Sequence, residues 1–438
     1  MTPIELSWAG IAILIVMILL RVPVAVALGL VGYVGYALID GWHRANLTVG
    51  ATPLELASAY TFSVVPLFTL MGTVAASAGL SADLFRAANA VLRGTRGSLS
   101  IASIFASALF GAVCGSSVAT ALTMSKVSIP QMLAAGYRPS LAAGSVAAGG
   151  TLGILIPPSL ILMIYAIIAQ LSVAELFAAA LVPGLVLTAL YCLVAMVMIR
   201  RQPIADEVAR GDAAPVPNRE SLLPALARVW HVVLLFAVTL GGIYSGWFTP
   251  TEAAAVGAFG AIILGLGLRR MTLRGVGSSL LETVRMVASV IFIVMASTMF
   301  SYFIVQTNVA GAISQTLQSA GLSATMVLAL LCVVYIAMGC FLEGIAMILI
   351  TVPITLPLVL SFGVDPVWFG ILLVVLIEIG LITPPVGMNL FVIRAVSPGI
   401  SIMDLYRGAL PFLIAPLVLI VLMIAWPDMV LWLPSLLE

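Results

Sequence analysis

The chain has 438 residues, 63% of them hydrophobic and 8% charged, and a formal net charge of +1. A soluble domain carries about 25% charged residues, so this composition excludes a soluble globular protein. The near-zero net charge and the lack of a basic stripe give a nucleic acid nothing to bind.

Taken in chain order, apolar runs predict ten full membrane spans near 6–20, 23–39, 57–78, 140–170, 174–199, 229–247, 251–268, 288–308, 367–394 and 410–433. The opening Met-Thr-Pro-Ile-Glu lacks a basic n-region and a small-residue cleavage site, so the first run reads as a retained span. The alternating pattern of an outer-membrane barrel is absent. Two further apolar segments, about 99–136 and 321–363, carry a glycine or acidic break at their centres. They read as re-entrant helical hairpins that enter and leave on one side. The hydrophilic stretch 200–228, with three prolines and mixed charge, reads as a cytoplasmic linker between a first repeat at 1–199 and a second at 229–438.

Charge tests that layout. With the N-terminus in the periplasm, 16 of the 18 basic residues fall on the cytoplasmic side, leaving Arg44 outside and Lys126 within a hairpin arm. Counting either hairpin as a single crossing scrambles the pattern. The tryptophans, Trp8 and Trp426 among them, sit near span ends as interfacial anchors do. The four cysteines lie in apolar segments without metal-ligand spacing.

The two halves are related. At an offset of 227, six of the nine Gly and Pro residues in positions 130–158 find an identical partner: Pro130, Gly136, Pro139, Gly153, Pro157 and Pro158 match Pro357, Gly363, Pro366, Gly380, Pro384 and Pro385. The segment Ser-Ala-Gly-Leu-Ser-Ala occurs at 77–82 and 319–324, but at a different offset, and reads as coincidence. Five spans before the linker invert the second half. Inverted repeats with broken helices are the pattern of secondary transporters.

Four breaks carry the chemistry. Gly111 to Ser117 forms the first hairpin tip, where Gly115 allows a turn and Ser116 and Ser117 present hydroxyls to a carboxylate or to Na⁺. In Thr151 to Ser159, Pro157 and Pro158 remove two amide donors and free carbonyls in the preceding turn. The repeat mates are the second tip at Glu343-Gly344 and the second broken helix, Gly380 to Asn389. Ser116 aligns with Glu343, Ser117 with Gly344 and Thr151 with Glu378. Intramembrane Glu343 and Glu378 are costly, and each reads either as a coupling-proton carrier or as a structural partner.

Elsewhere, Thr249-Pro-Thr-Glu252 reads as a capping box, His43 and His231 as interfacial, and Lys126 as snorkelling along its arm. No G-x-x-x-x-G-K-[ST] loop occurs, and no nucleophile–base pair or metal set suggests an enzyme.

The runs Phe110 to Thr120, Ala148 to Ser159 and Gly380 to Val392 together resemble the DctM family, the large permease subunits of tripartite ATP-independent periplasmic (TRAP) transporters, along nearly the whole chain. The resemblance implies an elevator-type transporter that moves hairpins and broken helices against a scaffold. It implies two partners, a small four-helix membrane subunit (DctQ-like) and a periplasmic substrate-binding protein (DctP-like), in the bacterial inner membrane. It implies import of a small organic acid such as a C4-dicarboxylate or a sialic acid, with Na⁺ as coupling ion and no other cofactor. Carried over by motif, Gly115, Ser116, Ser117, Thr151, Ile156, Pro157, Pro158, Glu343, Gly344, Thr383, Pro384, Pro385, Gly387 and Asn389 form the expected substrate and ion region, with Na⁺ near Ser116, Ser117, Pro157 and Thr383. The chain departs from the family at Glu343-Gly344, where many members have Asp-Pro, and around Glu378, where an Asn is common. The alternatives are a stand-alone Na⁺/anion symporter of similar hairpin design and a non-transporting channel or scaffold.

Overall fold

The computed structural model describes residues 2–92, 94–95, 97–200 and 222–436. All regular structure among them is helical. The first half runs α1 (Pro3–Leu19), α2 (Val24–Asp40), α3 (Trp42–Ser58), α4 (Val64–Ser77), α5 (Leu80–Val91), α6 (Ser98–Cys114), α7 (Ser117–Ala134), α8 (Pro139–Leu155), α9 (Leu160–Ala169) and α10 (Val173–Arg200). After the short α11 (Leu222–Ala227) come α12 (Trp230–Tyr244), α13 (Pro250–Gly267), α14 (Leu273–Thr307), α15 (Val309–Ser319), α16 (Ala324–Gly339) and α17 (Gly344–Ser361). The chain closes with α18 (Pro366–Ile382), α19 (Met388–Val396), α20 (Ile402–Ala409), α21 (Ile414–Ala425) and α22 (Asp428–Leu431).

The 227-residue offset reappears in the element bounds. Ser117–Ala134 recurs as Gly344–Ser361 and Pro139–Leu155 as Pro366–Ile382, with both ends shifted alike. Local chemistry fixes these ends. Ser116 accepts from the Ala119 amide at 3.4 Å and caps α7, while Asp365 accepts from Trp368 at 2.8 Å and caps α18. Pro139 and Pro366 sit in the first turn of α8 and α18, where a missing N–H costs nothing. The Pro157-Pro158 and Pro384-Pro385 bonds are both cis.

Helices α8 and α18 form the centre. Every residue of α8 from Leu141 to Leu155 is buried, and so is every residue of α18 from Val367 to Ile382. Small residues let neighbours approach α8 to backbone contact: a Cβ on Gly144 meets the Gly408 carbonyl oxygen at 2.2 Å, and one on Gly111 meets Gly153 Cα at 2.5 Å. Buried serines pair across the α6–α8 contact, Ser100 with Ser145 at 2.6 Å, and across the α6–α7 contact, Ser103 with Ser128 at 3.0 Å. A second, separate apolar cluster joins α1 and α2 to the C-terminal part of α14. There Gly32 abuts the Phe300 backbone, 2.4 Å from where its Cβ would lie.

Among the described residues, seven helical stretches are long and apolar enough to cross a membrane, and six more apolar helices are shorter. Several boundaries differ from the sequence expectation. The span expected at 288–308 begins at Leu273, because Thr272 caps it and its first turns are amphipathic, with Arg274, Glu282 and Arg285. At roughly 1.5 Å per residue, its 35 residues make a rod of about 50 Å. The run expected at 410–433 starts at Ile402, and its apolar span ends at Ala425. The spans at 140–170 and 367–394 are each two helices, parted at Ile156–Ser159 and Thr383–Gly387. The amphipathic helices α3, α5 and α15 were not anticipated, since hydropathy passes over them. Most of the 200–228 linker, with Arg201, Arg210 and Arg219, lies outside the described residues, as do Arg93 and Arg96. The Thr249–Glu252 capping box is present, with both reciprocal hydrogen bonds. His231 is not interfacial: it is 1% exposed, 3.8 Å from Asp83, which also pairs with Arg270.

Candidate functional site

Helices α6 and α7 meet at the two-residue turn Gly115-Ser116 and pack on each other. Gly115 has φ +66°, a conformation that L side chains rarely adopt, and a Cβ there would lie 2.8 Å from the Pro158 carbonyl oxygen. The Leu160 amide donates to the Gly115 carbonyl at 3.3 Å. Backbone therefore locks the hairpin tip to the Pro-Pro break, and the N-termini of α7 and α9 come side by side. Ser159 caps α9 by accepting from Leu162 at 3.3 Å, and its hydroxyl donates to Ile154, a carbonyl that Pro158 leaves without an amide partner.

In the second half the hairpin likewise packs on its broken helix. A Cβ on Gly339 would touch Gly380 Cα at 3.0 Å, so the second hairpin packs tightly on α18 just before its break. Glu343 is the N-cap residue of α17, and its side chain makes no capping hydrogen bond. Gly344 abuts Ile377 and Ile161. Gly387, with φ +54°, starts α19.

A buried polar contact joins the first hairpin to the second broken helix. The Ser117 hydroxyl lies 3.0 Å from Asn389 Oδ1, Asn389 Nδ2 donates to Ser117 Oγ at 2.8 Å, and both side chains are buried. The first turn of α7 is thereby fastened to the first turn of α19.

Of the residues singled out from sequence, Gly115, Ser116 and Pro158 line one cleft between the first hairpin and helices α4 and α14. Ser117 turns away from it to Asn389. Pro157 is buried beside this cleft's lining. Ile156 packs against Gly184 on α10. Thr151 hydrogen-bonds the Tyr191 hydroxyl at 3.1 Å, also on the α10 side. Its repeat mate Glu378 is completely buried and neither oxygen has a hydrogen-bond partner. In the second break, the Thr383 hydroxyl donates back to Ile379 at 2.5 Å and the Pro385 carbonyl accepts from Tyr406 at 2.6 Å. Pro384 is half-buried between them.

The opposite wall of the cleft was not found from sequence. Thr69, Gly72, Thr73 and Ala76 on α4 and Glu282 and Met286 on α14 line it. The α4 residues recur at i, i+3, i+4 and i+7, a small-polar stripe in an otherwise apolar span, and that periodicity was the available signal. Thr73 and Thr283 share a hydrogen bond at 2.9 Å, and Ser77 and Ser279 one at 3.1 Å, so α4 and α14 form one wall. Among the described residues no group of three or more His, Cys, Asp or Glu could hold a metal. The oxygens around the tip are hydroxyls, break carbonyls and, across the cleft, the Glu282 carboxylate, all of them hard ligands.

The profile of the family described as "Tripartite ATP-independent periplasmic transporter, DctM component" matches residues 11–429. A C4-dicarboxylate TRAP transporter large permease protein DctM of Pseudomonas aeruginosa is 39% identical over 383 residues, covering 87% of this chain and 88% of that protein. A sialic acid TRAP transporter large permease protein SiaM of Vibrio cholerae is 34% identical, covering 86% and 87%. An ectoine/5-hydroxyectoine TRAP transporter large permease protein UehC of Ruegeria pomeroyi is 30% identical, covering 97% of each. Among solved structures, the Alcanivorax borkumensis YdaH transporter superposes with a TM-score of 0.60 at 18% identity, covering 89% of this chain and 90% of that one, which speaks to the fold alone. The protein is thus a multi-pass transport subunit and not an enzyme, and it belongs to the DctM family of large permease subunits of tripartite ATP-independent periplasmic transporters.

Proposed function

We propose that this permease imports a small organic carboxylate by Na⁺-coupled secondary transport across the bacterial inner membrane, with its N-terminus in the periplasm. It works with a small four-helix membrane subunit and receives its substrate from a periplasmic binding protein. The observation that carries the reading is the convergence of two half-helix N-termini, at Ser116 and at Ser159–Leu160, held together by the Gly115–Leu160 backbone bond. Aligned amides and the helix dipole favour a carboxylate at such a point. The hydroxyl of Ser116 and the carbonyl oxygens of the two breaks supply the hard ligands that Na⁺ takes. A Na⁺ ion beside the carboxylate offsets its charge during passage. In this reading the chain comprises two inverted repeats about the 200–228 linker, with the hairpins and broken helices moving as one body against α4 and α14.

The test is uptake into proteoliposomes holding this chain and its small subunit, with the loaded binding protein outside and a Na⁺ gradient imposed. Uptake is expected to require Na⁺ and both partners, and Ser116→Ala with Ser117→Ala is expected to abolish its Na⁺ dependence. Uptake by this chain alone would instead mark a stand-alone symporter. Unchanged Na⁺ dependence in the double variant would remove the first hairpin tip from the ion site.

A further inference from the structure

Among the described residues the cleft holds one charged group, and an anion path does not call for it. Glu282 on α14 lines the cleft opposite Gly115 and Ser116, and no described Lys, Arg or His lines it. Glu282 is exposed and takes part in no ion pair or hydrogen bond among the described residues. The nearest basic residues along these helices, Lys126 on α7 and Arg285 on α14, are outside the lining and do not pair with it. Hydroxyls on the same wall, Thr69 and Thr73, are already engaged, with the Val65 carbonyl at 2.7 Å and with Thr283 at 2.9 Å.

A dianion in this cleft would set one carboxylate at the helix N-termini and bring the other toward Glu282, a like-charge contact. That juxtaposition is a means of rejection as much as of binding. A molecule with a carboxylate at one end and a cationic group at the other meets complementary charge at both. We infer that Glu282 selects the transported molecule by receiving its positively charged group, so that the substrate class is a zwitterionic carboxylate, not a dicarboxylate. This rests on the reading of Ser116 and the two N-termini as the carboxylate site. Glu282 is a poor seat for Na⁺ itself, because a lone exposed carboxylate on a regular helix brings no second hard ligand with it.

The experiment is thermal unfolding of the purified complex of this chain with its small subunit, in Na⁺ and in choline buffer. The probes are ectoine, which joins an amidinium to a carboxylate, and succinate, a dicarboxylate. In Na⁺, ectoine is expected to raise the Tm of the wild-type protein and succinate to leave it unmoved. Glu282→Gln is expected to weaken the ectoine response at least about tenfold, as loss of a charge-assisted contact in a closing cleft does. Glu282→Lys is expected to turn the preference toward succinate. A wild-type response to succinate that survives Glu282→Gln overturns the inference, as does the lack of any ectoine response in the wild type. Loss of stabilisation by Na⁺ alone in Glu282→Gln also overturns it, since Glu282 would then hold the ion. Ser116→Ala measured alongside separates the two ideas. If it leaves the ectoine response intact, the carboxylate site fails whatever Glu282 does.

Discussion

Ser117 and Asn389 stand 272 positions apart in the chain and meet side chain to side chain at 2.8 Å, both buried. The contact ties the start of α7 to the start of α19, so the first hairpin and the second broken helix are held as one body. Ser117→Ala leaves the Asn389 amide without its hydroxyl partner. That is expected to cost about 1–3 kcal/mol, the usual penalty for a buried polar group left unpaired. Asn389→Leu combined with Ser117→Ala is expected to cost less than the sum of the single changes. A double-mutant cycle read by thermal unfolding checks this, and strict additivity would remove the coupling.

Close backbone approach sets the second prediction. A Cβ on Gly408 would lie 1.9 Å from the Ser140 carbonyl oxygen, with no flexible side chain to yield. Gly408→Ala is expected to separate α20 from α8 and to lower the yield of folded protein sharply. Gly277, inside α14, has nothing within 4 Å of a Cβ. Gly277→Ala is expected to be neutral or to stabilise by up to about 1 kcal/mol through helix propensity. Chromatographic homogeneity and Tm of the two variants make the comparison.

Glu378 is fully buried and neither of its oxygens has a hydrogen-bond partner. Replacing it removes a desolvated polar group without orphaning another. Glu378→Met, similar in length, is therefore expected to raise Tm. A group retained at a cost to stability is retained for function, so uptake is expected to fall at least about tenfold in the same variant, in the manner of other intramembrane carboxylates. A variant that is more stable and equally active would make Glu378 a bystander.

Asp83, His231 and Arg270 meet where α5 packs near α12 and the end of α13. The Asp83 side chain is 4% exposed and that of Arg270 30%. Loss of Arg270 strands a buried carboxylate beside a histidine, whereas loss of Asp83 leaves a guanidinium that water already reaches. Arg270→Ala is thus expected to destabilise more than Asp83→Ala, which unfolding of the two variants in parallel decides.

The sequence exposed the breaks more clearly than the helices around them. Gly115, Pro157-Pro158 and Pro384-Pro385 each remove a donor or reverse a backbone angle, and that effect is local, so it is visible in one residue. The 227-residue offset tied them into pairs, and the element bounds carry the same offset. The amphipathic α3, α5 and α15 were invisible to hydropathy because half their surface is polar, and the first four turns of α14 were hidden for the same reason. His231 was misplaced because its environment is made by Asp83 and Arg270, both distant in sequence. The α4 and α14 wall of the cleft escaped for a similar reason: its polar residues acquire meaning only opposite the hairpin tip.

The long α14 has a mechanical consequence. Its C-terminal part is seated in the glycine face of α2, with Phe300 against Gly32, and its N-terminal part carries Glu282 into the cleft. Between Glu282 and Phe300 an unbroken helix at about 1.5 Å per residue spans roughly 27 Å. A rod of that length transmits tilt from end to end. Any shift of α14 at its seat on α2 would therefore be felt at the other end, where Glu282 stands across from the hairpin tip.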